Sequence, residues 1–504
     1  MNTQQQAAAS PGPRPIGLVL GELAAEEPER PVLTCGERTI SRLFLERRSN
    51  RLARAYANLG VKQGDFVIVA LPNGIEWFEA VFAAWKLGAC PLPLSPKFTE
   101  VERRRIIDLA RPSLLIGVAL DPTCDVPAIP TGFEPDDTCA DGPLDGRVGG
   151  MRAITSGGST GLPKLIVSET TNELDPSTLL NEDRHLLRDQ VHLVVGPLYH
   201  SMPFTWATHS IVRGNHVVVM PRFDATAAVS EIVRHGVNTI AAVPTMLLRM
   251  LAVIDAAPTT YDLSSIQLLY HTSARCPEWV KHRWIDLVGP SNVWEIYGGT
   301  EDQAATIISG TDWLTHRGSV GRPLFGEFKI FDANGDVAPV GEVGEIYVRR
   351  AEGVSGAYHY IGAEPRALGA GWQSLGDMGY VDEDGYLYLV DRRVDMIISG
   401  GANIYPAEVE RVIGEHPNVN DSVVVGLPDD DLGQRVHALV QISEPLGEDE
   451  LRTFVEQRLV RYKTPRSYRF VRESLRSEAD KVRRSQVCLD EAERLRSETP
   501  VGCG

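Results

Sequence analysis

A chain of 504 residues leaves room for roughly three folding units of about 150 residues each and excludes a single small module. Its 43% hydrophobic and 23% charged residues, with 46 glycines and 33 prolines, are the mixture of a folded globular protein rather than a disordered or fibrous one. Fifty basic against 67 acidic side chains give a net charge of −17, which opposes broad contact with a nucleic acid polymer or an anionic membrane. Any nucleotide partner is therefore expected to be small and held by local groups.

Residues 1–15, rich in Gln, Ala and Pro, read as a flexible tail without the charged and apolar regions of a signal peptide, and periodic structure begins near Ile16. Between about 40 and 225 the helical pattern ISRLFLERRSNRLARAYANLG alternates with the β-branched runs DFVIVAL, PSLLIGV, HLVVG and HVVVM, which predicts parallel strands with crossover helices. The stretch 119–150, rich in Pro, Asp and Gly, reads as a loop or a subdomain connection. A second α/β stretch runs to about 300, with strands expected in VNTIAAVP, IQLLYHTSA and NVWEIYGG, whose polar ends suit a ligand. From 317 to 390, short alternating strands across Asn334-Gly335 and Asp384-Gly385 turns predict a β-rich subdomain. The last stretch, from about 394, alternates strands and helices again and predicts a separate small core, with the charged segment 391–395 as the boundary. Apolar runs such as TIAAVPTMLLRMLAVIDAA are interrupted by Pro244 and Arg249 short of a membrane span. Seven scattered cysteines form no CxxC pair, so a reducing, cytoplasmic compartment and no zinc site are expected.

The sharpest local feature is Thr155-Ser156-Gly157-Gly158-Ser159-Thr160-Gly161-Leu162-Pro163-Lys164. Consecutive glycines let backbone N–H groups converge on an anion, hydroxyls add donors and Lys164 adds a mobile charge, a combination suited to a polyphosphate. It is not a Walker A loop, because Pro163 stands before Lys164. By itself the segment reads also as a flexible Ser/Gly loop.

The loop from Ser156 to Lys164 resembles the phosphate loop of the adenylate-forming superfamily, which includes acyl-CoA synthetases, luciferases and peptide-synthetase adenylation domains. Further signatures follow in that family's order: Tyr297-Gly298-Gly299-Thr300-Glu301, Ser374-Leu375-Gly376-Asp377, Arg392 with SGGANIYPAEVE at 399–410, and Lys481 at the place of the catalytic lysine. The resemblance implies a large N-terminal α/β AMP-binding domain (16–391) and a small mobile α+β C-terminal domain (392–504). It implies ATP, Mg²⁺ and CoA as cofactors and a small carboxylic acid as substrate, and leaves a homodimer open.

Residue by residue, the resemblance assigns Glu301 to Mg²⁺ and Thr300 to a phosphate, roles that suit a hard oxygen ligand and a hydroxyl donor. Tyr297 would stack on adenine, Ala274 would lie beside the nucleotide, and Asp377 would accept from the ribose hydroxyls with Arg392 beside it. His200, in GPLYHSMPF, matches the histidine or aromatic position next to the acyl carboxylate. Met202, Trp206, Ser273, Gly298 and Gly299 are the candidate acyl pocket, although the same residues would read as plain core without the resemblance. No Asp occurs from Val191 to Phe223, where amino-acid-activating relatives place the partner of the substrate ammonium, so an α-amino acid is disfavoured.

Two positions depart from the family pattern. Val394 falls on the hinge, usually Asp or Lys, and Asp480 falls on the Gly before Lys481. In the family the C-terminal domain first delivers its lysine for adenylation, then rotates to present another face, here with Gly400 and Gly401, to the CoA arm. The leading expectation is an ATP-dependent carboxylic acid:CoA ligase. Transfer to a carrier-protein thiol, an amine or another small nucleophile is the sibling reading, and a non-catalytic nucleotide-binding protein is the reading from another class.

Overall fold

The computed structural model describes residues 13–118, 125–157, 163–174, 188–332, 334–351, 357–392, 395–399, 402–429, 432–459, 461–477, 482 and 484–498. Its organising element is a thirteen-stranded mixed sheet. The strands Val191–Val194, His216–Val219, Thr239–Ala242, Leu268–His271 and Val293–Gly298 run parallel at its centre. Their continuous apolar character follows from helices covering both faces, since Thr239–Ala242 and Leu268–His271 are buried at every residue.

A smaller sheet of four parallel strands, built on Phe66–Val69 and Leu114–Ile116, packs beside it. The helix Arg42–Asn58 buries Leu45, Leu52, Ala53 and Tyr56, the spacing of one helical face, and Ser41 caps its start by accepting from the Phe44 N–H. Arginines on the same helix hold the following connection by its carbonyls: Arg48 reaches Phe133, Arg51 reaches Pro135, and Arg54 reaches Ala140 and Gly142. The stretch read as a loop is thus a fastened segment, and Ala128–Ile129 within it adds a strand to the smaller sheet. A second departure lies at the start: Arg14–Pro15, counted with the tail, pairs with Glu173–Leu174, and the first helix begins at Ile16.

The β-rich region from Ser319 to Arg392 is present, but it is continuous with the large sheet, because Ser319–Phe325 pairs with both Ala305–Ser309 and Leu387–Arg392. One of its strands, Tyr358–Ile361, leaves that sheet and pairs with Pro163–Ser168, which in turn pairs with Ala153–Gly157. This three-stranded unit carries the two ends of the glycine-rich loop. Beyond residue 395 a separate core forms around Ile397, Val409, Val424, Val436 and Leu451. It rests on the strands Val419–Asp429, Gly433–Ile442 and Ser467–Val471. The mixed α/β architecture with a large N-terminal and a small C-terminal unit agrees with the fold class expected from the sequence. Among the described residues, no helix is long and apolar enough to cross a membrane.

Candidate active site

The C-terminal ends of the central parallel strands converge, as ligand sites in open α/β sheets do, on a cavity of about 630 Å³. After Val191–Val194 the chain turns through Gly196 and Pro197 to His200, which stands at the N-cap of the helix Ser201–Val212. Met202 and Trp206 point from that helix into the cavity wall, and the Trp206 ring lies 4.2 Å from that of Tyr270. Ser273 follows the strand Leu268–His271 with φ of +75°, a left-handed conformation that costs a residue with a Cβ about 1–2 kcal/mol. Gly298, Gly299 and Thr300 close the wall after Val293–Gly298. His200, Thr300 and all five candidate acyl-pocket residues therefore share one cavity.

A second cluster lies where the glycine-rich hairpin meets the β-rich strands. In the hairpin register Ser156 pairs with Lys164 and Gly157 with Pro163. The Lys164 ammonium sits 3.8 Å over the Tyr360 ring and 3.9 Å from Glu301 Oε1. The Tyr360 hydroxyl donates to the same Glu301 oxygen at 2.6 Å. Burial and then the Glu301 charge push the Tyr360 phenol far above its ordinary range, so it stays a donor, while burial pulls the Lys164 ammonium down against the opposing pull of Glu301. Tyr358 stands edge-on to Tyr360 and donates to Gln373, which also accepts from Gln303. Gly299 leaves space for this arrangement, because a Cβ there would meet Glu301 Oε2 at 2.6 Å.

A third cluster joins Tyr297 to Asp377, whose Oδ2 accepts from the Tyr297 hydroxyl at 2.6 Å. Asp377 is buried, and in the antiparallel register it faces Arg392, so the two candidate ribose residues are neighbours through the backbone ladder. Ala274 follows Ser273 directly and lies outside the cavity wall, as do Lys164, Glu301, Tyr297 and Asp377. Gly158, Ser159, Thr160, Gly161, Gly400, Gly401 and Lys481 lie outside the described residues, as do Val394 and Asp480. Tyr360, Tyr358 and Gln373 escaped the sequence reading; the Tyr-x-Tyr alternation that puts both phenols on one face of a strand was the only signal they gave.

Magnesium fits this chemistry. Among the described residues no group of three or more His, Cys, Asp or Glu gathers to hold a metal alone. Mg²⁺ does not need such a cage: it retains water and binds through one or two carboxylates plus substrate phosphates, which the single Glu301 carboxylate beside Lys164 provides for. The ion supplies charge neutralisation on the phosphates when bound.

Comparison with known proteins agrees with this architecture. The profile described as AMP-binding enzyme matches residues 20–142 and 153–359, and that of the AMP-binding enzyme C-terminal domain matches 408–481. The chain belongs to the AMP-binding enzyme family. It is 30% identical to the 2-succinylbenzoate–CoA ligase of Bacillus licheniformis over 93% of this chain and 98% of that protein. The ligase of the same name from Geobacillus kaustophilus is 31% identical over 91% of this chain and 95% of its own length. The Bacillus subtilis o-succinylbenzoate CoA synthetase, solved with its acyl-adenylate intermediate, superposes with a TM-score of 0.80 at 28% identity, covering 94% of this chain and 98% of that one. The same enzyme with ATP and magnesium ion gives a TM-score of 0.78, again at 28% identity, over 94% and 99% of the two chains. Within the family, this chain is an AMP-forming acid–thiol ligase: it consumes ATP, uses Mg²⁺, forms an acyl-adenylate with release of pyrophosphate and passes the acyl group to CoA.

Proposed function

We propose that the acid this ligase activates is an aromatic dicarboxylic acid of the 2-succinylbenzoate type. The observation that carries the proposal is the aromatic wall of Trp206 and Tyr270 in a cavity that opens directly onto His200 and Thr300. Such a wall accepts a flat ring, and the volume of about 630 Å³ lies in the range of drug-sized ligands. The names of the curated relatives point to the same acid.

In this reading the acid places one carboxylate between His200 and Thr300 and attacks the α-phosphorus of ATP, and the bond to pyrophosphate breaks. Lys164 holds the phosphates with the glycine-rich loop, and Glu301 would hold the Mg²⁺ that neutralises their charge. Tyr297 flanks the adenine, Ala274 lies beside it, and Asp377 and Arg392 take the ribose. Lys481 bridges the carboxylate and the α-phosphate as charge redistributes, then withdraws as the domain beyond residue 391 rotates and brings Gly400 and Gly401 to the pantetheine arm. The thiolate attacks the acyl carbon and AMP leaves. A cytoplasmic setting and a homodimer complete the proposal, the latter read by the mass of the purified enzyme in solution.

The test is a panel of acids assayed for acid-dependent pyrophosphate release. 2-Succinylbenzoate is expected to give the highest kcat/KM, above benzoate, straight-chain monocarboxylates and α-amino acids. A clear preference for an aliphatic monocarboxylate would refute the reading.

A further inference from the structure

The wall of the same cavity contains a buried cation that the adenylation chemistry does not use. Arg152, immediately before the strand Ala153–Gly157, keeps 7% of its surface exposed and lines the cavity beside Ser201. Its Nη2 donates to Ser201 Oγ at 3.0 Å. Among the described residues no carboxylate comes within ion-pair distance of it; Asp302, also in the cavity wall, acts on it only at longer range. Two other arginines of this unit are matched by carboxylates: Arg42 reaches Glu27 and the Gly214 carbonyl, and Arg48 reaches Glu79 and Glu134.

A guanidinium cannot shed its proton, so its charge stays in the cavity wall whatever the pH. A single hydroxyl supplies one acceptor to a fork of five N–H donors. Taking such a charge out of water is costly without an anion beside it. Of the residues assigned to the phosphates of the nucleotide, Lys164 and Glu301 lie outside the wall of this cavity and Thr300 lies in it, whereas Arg152 shares the wall with the candidate acyl residues His200, Met202 and Trp206. The missing anion therefore belongs with the acid.

We propose that Arg152 recognises the second carboxylate of the acid, the one that is not activated, and so sets a preference for dicarboxylic acids over monocarboxylic ones. The inference rests on the reading of this cavity as the acyl site and deepens it by naming the group that selects the substrate. The planar fork matches a carboxylate bidentately, which a lysine cannot do, and Ser201 fixes the plane of the fork from the other side.

The experiment compares wild type, Arg152→Lys and Arg152→Gln on matched pairs of acids, 2-succinylbenzoate and its half-ester blocked at the ring carboxyl, which leaves the succinyl carboxyl free to be activated, and a second aromatic diacid with the half-ester that likewise leaves its activated carboxyl free. Pyrophosphate release gives KM and kcat for each acid and KM for ATP. Wild type is expected to prefer each diacid to its half-ester, and that ratio should collapse by about tenfold or more in Arg152→Gln, mostly through the KM of the diacid. Arg152→Lys, which keeps the charge and loses the fork, should fall between. The KM for ATP should stay within about twofold. Equal loss on diacid and half-ester, a rise confined to the KM of ATP, or a wild type indifferent to the second carboxylate would each overturn the proposal. If another diacid proves the better substrate and its selectivity depends on Arg152, the 2-succinylbenzoate reading fails while this one stands.

Discussion

Glu301 is held by a phenol as well as by a cation. The Tyr360 hydroxyl donates to Oε1 at 2.6 Å and the Lys164 ammonium lies over the same ring, so one aromatic side chain touches both charged groups of the proposed phosphate site. A hydrogen bond to a charged group is worth about 1.5–3 kcal/mol, so Tyr360→Phe should raise the Mg²⁺ concentration needed for half-maximal pyrophosphate release about tenfold or more. The ring, and with it the cation–π contact, remains, so the melting temperature should shift little; an unchanged Mg²⁺ requirement would remove the positioning role. Gly299→Ala should act in the same direction, because the added Cβ takes the space of Glu301 Oε2. Lys164, Glu301, Tyr297 and Asp377 stand out in the sequence as candidates because each stands in a short motif. Tyr360 was hidden, since 59 residues separate it from Glu301 and only pairing of Tyr358–Ile361 with the hairpin strand brings them together. Arg152 was hidden for a different reason: an arginine before a strand reads as a surface charge until burial is known.

The same contrast holds for elements. The central strands were legible as apolar runs, because a parallel sheet covered on both faces selects β-branched residues along its whole length. The strand Ala128–Ile129 was not, since two residues inside a Pro- and Asp-rich stretch carry no period, and its place is set by a neighbouring strand and by arginines from another helix. Continuity of the β-rich region with the main sheet was equally out of reach, because antiparallel pairing of Ser319–Phe325 with two partners leaves no local mark. That pairing depends on Gly321, with φ of +96° and space for a Cβ only 2.0 Å from the Ile307 carbonyl oxygen. Gly321→Ala should destabilise by about 3 kcal/mol or more, read as a lower denaturant midpoint. Lys86, with 2% of its side chain exposed, donates to Glu46 at 2.7 Å and to the Gly17 carbonyl, joining its own helix to two others. Lys86→Met should cost about 3–5 kcal/mol by leaving the Glu46 carboxylate buried and uncompensated. Replacing both partners by apolar residues should recover much of that loss; a double variant no better than the single one would contradict this account.

At the scale of the whole molecule, buried histidines tie stability to pH. Burial lowers His192 and His271 from near 6.5 to about 4, in the second case against the smaller opposing pull of Glu295. Above pH 6.5 both are neutral in folded and unfolded chains; as pH falls from 6.5 toward 4 the unfolded chain takes up protons that the folded one refuses, and each pKa unit of difference is worth about 1.4 kcal/mol. Unfolding free energy should therefore fall steadily across that window, and His192→Gln should flatten part of the slope. A profile flat from pH 7 to 4 would contradict the burial of these rings. The division into a large and a small unit was legible from the return of strand and helix alternation after the charged segment at 391–395, and the separate core around Ile397 and Val424 is its physical basis. In the proposed reading the activity joins the two units, since the candidate acyl cavity lies in the first and the proposed lysine and CoA-facing glycines in the second. The measurement that tests this most directly is the product inventory of the purified protein given ATP, Mg²⁺, CoA and 2-succinylbenzoate. The account predicts AMP, pyrophosphate and the CoA thioester in equal amounts, with none formed when the acid is omitted; ADP and phosphate as products, or ATP cleavage that ignores the acid, would contradict it.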